Sequence, residues 1–236
     1  MKTVCYFLLV SLLVACHRDS SDTVRPEYDD WYTLRSPDNR AIEAVWGDID
    51  KTVVISTGFT LYRTTDRGRN WQQVFSQTVG LMGLGTFRDT LFVTTGLKSL
   101  GNKTVLTNPA LYSLDLGQTW QPYRRFNPNF DLAGYSGITG IQVSPVAAAN
   151  GTTYRIRRNY LDDSTKSVRR FTTPGVVTQT GRQINLPKLH QLQAVALDEN
   201  ERLYVAGSDE VCEMSPTFRF CNGGRGVVYV SKKPLP

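Results

Sequence analysis

The sequence has few of the side chains that carry metal and acid–base chemistry. Its 236 residues include two histidines, His17 and His190, and four cysteines, two of which (Cys5 and Cys16) fall within the first sixteen positions. No His/Cys/Asp cluster has metal-ligand spacing, and there is no Gly-X-Ser-X-Gly elbow or glycine-rich phosphate loop. A Ser-His-Asp triad would have to use His190, and nothing marks its partners. These absences argue against metalloenzymes, α/β-hydrolases and nucleotide-dependent enzymes, and no metal or cofactor is expected. Long apolar runs are equally scarce. The one run, Val4–Ala15, is well short of the ~20 residues that cross a bilayer as a helix. Positive charge is in modest excess, 27 Lys and Arg against 21 Asp and Glu. It is spread along the chain with no recognition motif, so nucleic acid is not an expected partner.

What is present begins at the N-terminus. Lys2, the apolar run and the small residue Ala15 have the form of an export signal. Leu13-Val14-Ala15-Cys16 resembles the lipobox of bacterial lipoproteins. The resemblance implies removal of residues 1–15, a diacylglycerol on the Cys16 thiol, and anchoring by two or more acyl chains. His17 stands where an Asp would imply retention in the inner membrane, so the expected location is the outer membrane. An ordinary secretory signal with an incidental cysteine is the alternative. Residues 16–29 are polar and aperiodic, and they read as a flexible tether to a domain over 30–236.

In that domain, frequent glycine (19 in the chain) and short runs of Val, Ile, Thr and Tyr read as many short strands. Two segments repeat a pattern. Thr64 and Ser113, Asp66 and Asp115, Gly68 and Gly117, and Trp71 and Trp120 pair off at a constant offset of 49 residues. Both segments follow Leu-Tyr, and both carry Asn or Thr before the Trp. The pattern resembles the Asp box, or BNR repeat, of sialidases and other β-propellers, and the offset suits one four-stranded blade. Physically the motif is structural. Asp accepts hydrogen bonds from its own tight turn, Gly permits φ > 0, the hydroxyl caps, and Trp packs between blades.

The predicted fold is therefore all-β, a small propeller of four blades. A fifth is admitted if residues 127–135 or the Cys212–Cys221 segment hold further strands. Blade two is read as 80–87, 89–96, 110–115 and 120–125. Blade three is read as 136–144, 152–159, 166–173 and 176–181. Blade four ends one strand short, and residues 30–36 are expected to pair with 226–233 and close the ring.

For function, a non-catalytic module binding an envelope protein or glycan is the leading reading. Short propellers resembling the photosystem II assembly factor act as such platforms. The alternative is a glycan-directed hydrolase using Asp162, Asp163 or Glu210. Sialidases need six blades and three arginines, whereas here there is one faint Arg40-Ala41-Ile42 echo. Each adjacent pair, such as Arg157–Arg158 or Arg169–Arg170, can present one side chain in a given direction. Cys212 and Cys221 flank a Ser-Pro turn and are expected to form a disulfide outside the cytoplasm, with two buried thiols as the alternative. Long loops are expected at 97–109, 126–135, 160–165, 182–191 and 209–225, all at one end of the propeller. Phe126, Phe130, Tyr135, Tyr160, Phe218 and Arg219 are the candidate contact residues there.

Overall fold

The computed structural model describes residues 28–123, 140–162, 165, 170–213, 219–221 and 225–236. The first strand is β1 (Trp31–Arg35). Blade one follows as β2 (Ala44–Asp48), β3 (Thr52–Ser56), β4 (Gly58–Thr64) and β5 (Gln72–Leu81). Blade two holds β6 (Gly83–Phe87), β7 (Thr90–Leu100), β8 (Lys103–Ser113) and β9 (Gln121–Pro122), and β10 (Gln142–Ser144) also joins β8. Blade three is β11 (Val146–Ala147), β12 (Thr153–Tyr160), β13 (Phe171–Thr178) and β14 (Gln183–Ile184). Blade four runs from β15 (His190–Leu197) through β16 (Leu203–Glu213) and β18 (Val227–Ser231) to β1, with β17 (Arg219–Phe220) on the far end of β16. Four antiparallel sheets thus make a four-bladed propeller.

The second strands are buried on both faces, as Val53-Val54-Ile55 and Leu203 to Ala206 show, so they read as unbroken apolar runs. Between blades the sheets bury shared cores. Ile42, Val45 and Ile55 of blade one meet Tyr204, Val228 and Val230 of blade four. Leu81 and Val54 meet Leu91 and Val93 across blades one and two. Tyr154, Val176 and Ile184 meet Leu192, Val205 and Tyr229 across blades three and four.

The ring closes as the sequence predicts. Trp31 pairs with Ser231 and Arg35 with Val227, so the N-terminal strand completes the blade that the C-terminal strand begins. A buried polar latch backs this closure. The Arg202 guanidinium bridges Asp198 of its own blade to Asp48 and Asp50 of blade one. The Tyr204 hydroxyl donates to Asp198 and accepts the Ile49 N–H at 2.7 Å.

Two expectations are corrected. Residues 97–109 are not a loop: β7 and β8 continue as a ribbon to a tight turn at Gly101–Asn102. Asn108-Pro109, a turn signal in sequence, sits instead where the register shifts, with Asn108 at φ 55°. Blade three is likewise offset. Its third strand is Phe171–Thr178, running straight through Pro174-Gly175, which lies opposite a register shift between Arg157 and Asn159. Both Pro-containing pairs are absorbed as strand irregularities, which the sequence alone does not distinguish from turns. Residues 142–144, expected inside blade three, pair with β8 of blade two.

Candidate functional site

Strand direction gives the propeller two unlike ends. The upper end collects the links between blades and between second and third strands. The lower end collects the links between first and second strands, together with the two Asp-containing turns.

At the lower end, Thr64 Oγ donates to Asp66 at 2.8 Å and accepts the Gly68 N–H at 2.9 Å, while Asp66 accepts the Asn70 N–H and side-chain amide. The second turn repeats this network. Ser113 donates to Asp115 and accepts the Gly117 N–H, and Asp115 accepts the Thr119 N–H and hydroxyl. Backbone geometry agrees in both: Arg67-Gly68 at φ 60° and 69°, Leu116-Gly117 at 56° and 79°. Desolvation pushes the Asp66 and Asp115 carboxyls up, but these hydrogen bonds outweigh it and hold both below the usual carboxylate range. Trp71 and Trp120 are half-buried rather than fully buried, packed at the blade four–one and one–two cores. The Trp120 indole donates to the Gly117 carbonyl, whereas the Trp71 N–H is buried without a partner among the described residues. The carboxylates' hydrogen-bonding capacity goes to shaping the turns.

The channel side is different. A cavity of about 480 Å³ runs along the inner strands β2, β6 and β15 and reaches the ribbon tip at Gly101–Thr104. The ribbon leans over it because Gly83 and Gly85 leave one face of β6 bare. A Cβ on Gly83 or Gly85 would come within 2.4 or 2.7 Å of the Leu106 side chain, which lies over that strand. The wall is apolar through Leu84, Ile141, Ile156 and Val195. Among the described residues its charged members are Lys103, Arg155, Arg158 and one carboxyl, Glu43, which burial pushes up. Of Arg157 and Arg158 only the latter lines the cavity, and its guanidinium lies 4.9 Å from the Phe171 ring centre. Tyr160 also lines it and meets Phe171 edge-on.

Exposed large apolar side chains also gather at the upper end. Among the described residues these are Phe59, Val79, Leu97, Leu100, Tyr160, Leu161, Leu189 and Phe220, against Leu114 and Leu116 at the lower end. Sequence reading named only Tyr160 of this set, although the ranges it assigned to this end also hold Leu97, Leu100, Lys103, Leu161, Leu189 and Phe220; Phe59, Val79, Glu43 and Arg155 lie outside them. Glu43 and Arg155 join Lys103 only through the pairing of strands from different blades, which the linear pattern does not show.

Other candidates are placed as follows. Arg219 stands on β17, 3.7 Å from Glu213 and outside the cavity lining. The expected disulfide joins Cys212 to Cys221, beside that strand, at a Cα separation of 4.9 Å. Asp162 holds Arg170 through its main-chain and side-chain nitrogens, and Glu210 holds Lys188; neither lines the cavity. His190 is fully buried. Its Nδ1–H donates to the Ser208 carbonyl, so Nε2 accepts from the Tyr229 hydroxyl, and burial depresses its pKa. Cys16, Phe126, Phe130, Tyr135, Asp163 and Phe218 lie outside the described residues.

No protein-family model matches the sequence, and no curated protein matches it. A solved structure titled "YCF48 bound to D1 peptide" is similar to this chain at 12% identity, over 77% of this chain and 67% of that one, with a TM-score of 0.27. The propeller assignment rests on the strand pairing described above.

Proposed function

We propose that this chain is a lipid-anchored, non-catalytic propeller of the bacterial envelope that binds a protein partner across its upper end. The observation that carries this reading is the unequal distribution of exposed apolar side chains between the two ends. Clustered exposed apolar surface rimmed by charge marks an interaction site, and aromatic and Arg side chains supply most contact energy there. The cavity volume also falls in the range of binding pockets. Most of the exposed set is aliphatic, which suits a protein surface better than sugar rings. Hydrolysis of a glycosidic bond uses two carboxyl groups roughly 5–10 Å apart. The described lining offers Glu43 alone, while Asp162 and Glu210 are held in ion pairs outside it. Leu13-Val14-Ala15-Cys16 supports the anchor, and His17 supports the outer membrane.

Photo-crosslinking residues placed at Leu100 and at Leu116, on opposite ends, test the binding face in intact membranes. Adducts from position 100 and none from 116 are expected; the converse overturns the assignment. Cys16→Ser should abolish acyl labelling and leave the precursor uncut, and an unlabelled wild type would remove the anchor.

A further inference from the structure

Blade three lacks most of its innermost strand. In the other blades β2, β6 and β15 have five to eight residues, but β11 has two and pairs only with Thr153 and Tyr154. Residues 142–144, next along the chain, are drawn off by β8 of blade two. Beyond Tyr154, β12 therefore has β13 on its outer edge and open cavity on its inner side, where Arg155, Ile156 and Arg158 form the wall. Among the described residues, no strand pairs with that inner edge between Arg155 and Arg158. An unpaired strand edge is a template for another strand, because its N–H and C=O groups need partners. Recognition by strand addition uses this: main-chain bonds give affinity and alternate side chains give specificity. The charge of the slot selects those side chains. Among the described residues, Lys103, Arg155 and Arg158 line it against the single acid Glu43.

We propose that the cavity takes an extended peptide segment with acidic side chains, which adds along β12 as the missing innermost strand of blade three. This rests on the protein-binding reading of the upper end, and it specifies the part of the partner that enters the channel. Three cations against one carboxyl favour acid over base on the incoming strand. The apolar patches of Leu84, Ile141 and Val195 receive the alternate side chains.

The test uses the mature chain in detergent and a fluorescent probe, acetyl-Glu-Val-Glu-Val-Glu-amide. Fluorescence anisotropy should show binding of this peptide and none of the version with Lys for Glu. Two N-methylated versions, each blocking the amides of one peptide edge, should differ. One keeps its affinity, and the other loses about tenfold, the worth of one or two main-chain bonds. Hydrogen exchange at 155–158 should slow on binding, and Arg158→Glu should weaken the acidic peptide. Equal binding of both N-methylated peptides, no binding of the parent, or unchanged exchange on β12 would each overturn the slot. Loss of the slot alone is recognised when position 100 still crosslinks the membrane partner and Arg158→Glu leaves that yield unchanged. If position 100 gives no adduct in the wild type, the protein-binding reading itself falls.

Discussion

Arg202→Met is the most informative perturbation of the ring. The side chain is almost fully buried, and its three nitrogens are distributed over Asp198, Asp48 and Asp50. The Asp48 and Asp198 side chains are buried too, so deleting the guanidinium leaves Asp198 with the Tyr204 hydroxyl and local main-chain donors, and Asp48 with Asn200, a local main-chain donor and the exposed Lys51 at 3.7 Å. Breaking a buried ion pair by removing one partner costs about 3–5 kcal/mol. The Asp50 arm is half-exposed and screened, and adds less than about 1 kcal/mol. Met keeps most of the stem volume, so little of the loss comes from a cavity. For a chain of this size each kcal/mol lowers Tm by about 2–4 °C, which makes a fall on the order of 10 °C. Urea melts of the variant should show a lower midpoint at unchanged slope. Adding Asp198→Asn should cost less in the Arg202→Met background than alone, because it removes one stranded charge. A loss under about 1 kcal/mol, the size of a surface pair, would refute the view that this network latches blade four to blade one.

Three further outcomes are expected. Gly117→Ala should destabilise more than an ordinary glycine replacement in a turn, because φ is +79° and a Cβ would stand 2.6 Å from Val54 of the neighbouring blade; a melt indistinguishable from wild type would contradict that packing. Removing residues 17–36 should destabilise the whole ring by stripping β1 from β18, whereas removing 17–27, which spares the packing of Tyr28 on Tyr229, should leave the melt nearly unchanged. His190 is held neutral with a lowered pKa while the unfolded chain takes up its proton near pH 6.5. Its contribution is therefore complete above that pH and is lost progressively as pH falls below it. Urea midpoints between pH 7.5 and 5 should decline in the wild type, with that component missing in His190→Gln.

By itself the sequence determined the architecture and its closure. The 49-residue spacing of the two turns counts one blade. The resemblance of 30–36 to the strands after those turns foretells the pairing of Trp31 with Ser231. Local physics suffices for such features: the hydrogen bonds that Thr64 and Asp66 make with Gly68 and Asn70 all span four positions or fewer, and strand alternation needs no distant partner. The disulfide was legible for the same reason, since only nine positions separate its cysteines. Tertiary structure alone decided the site. Asn108-Pro109 and Pro174-Gly175 read as turns, and only cross-strand register shows that they are carried inside β8 and β13. The ribbon folds over the channel because Gly83 and Gly85 leave room for Leu106, a contact between residues more than twenty positions apart. That same folding draws 142–144 to β8 and opens the space beside β12. Glu43, Lys103, Arg155 and Arg158 come from three blades, and no period in the sequence relates them. Their shared environment exists only once non-local pairing has chosen which strand edges are satisfied and which remain open.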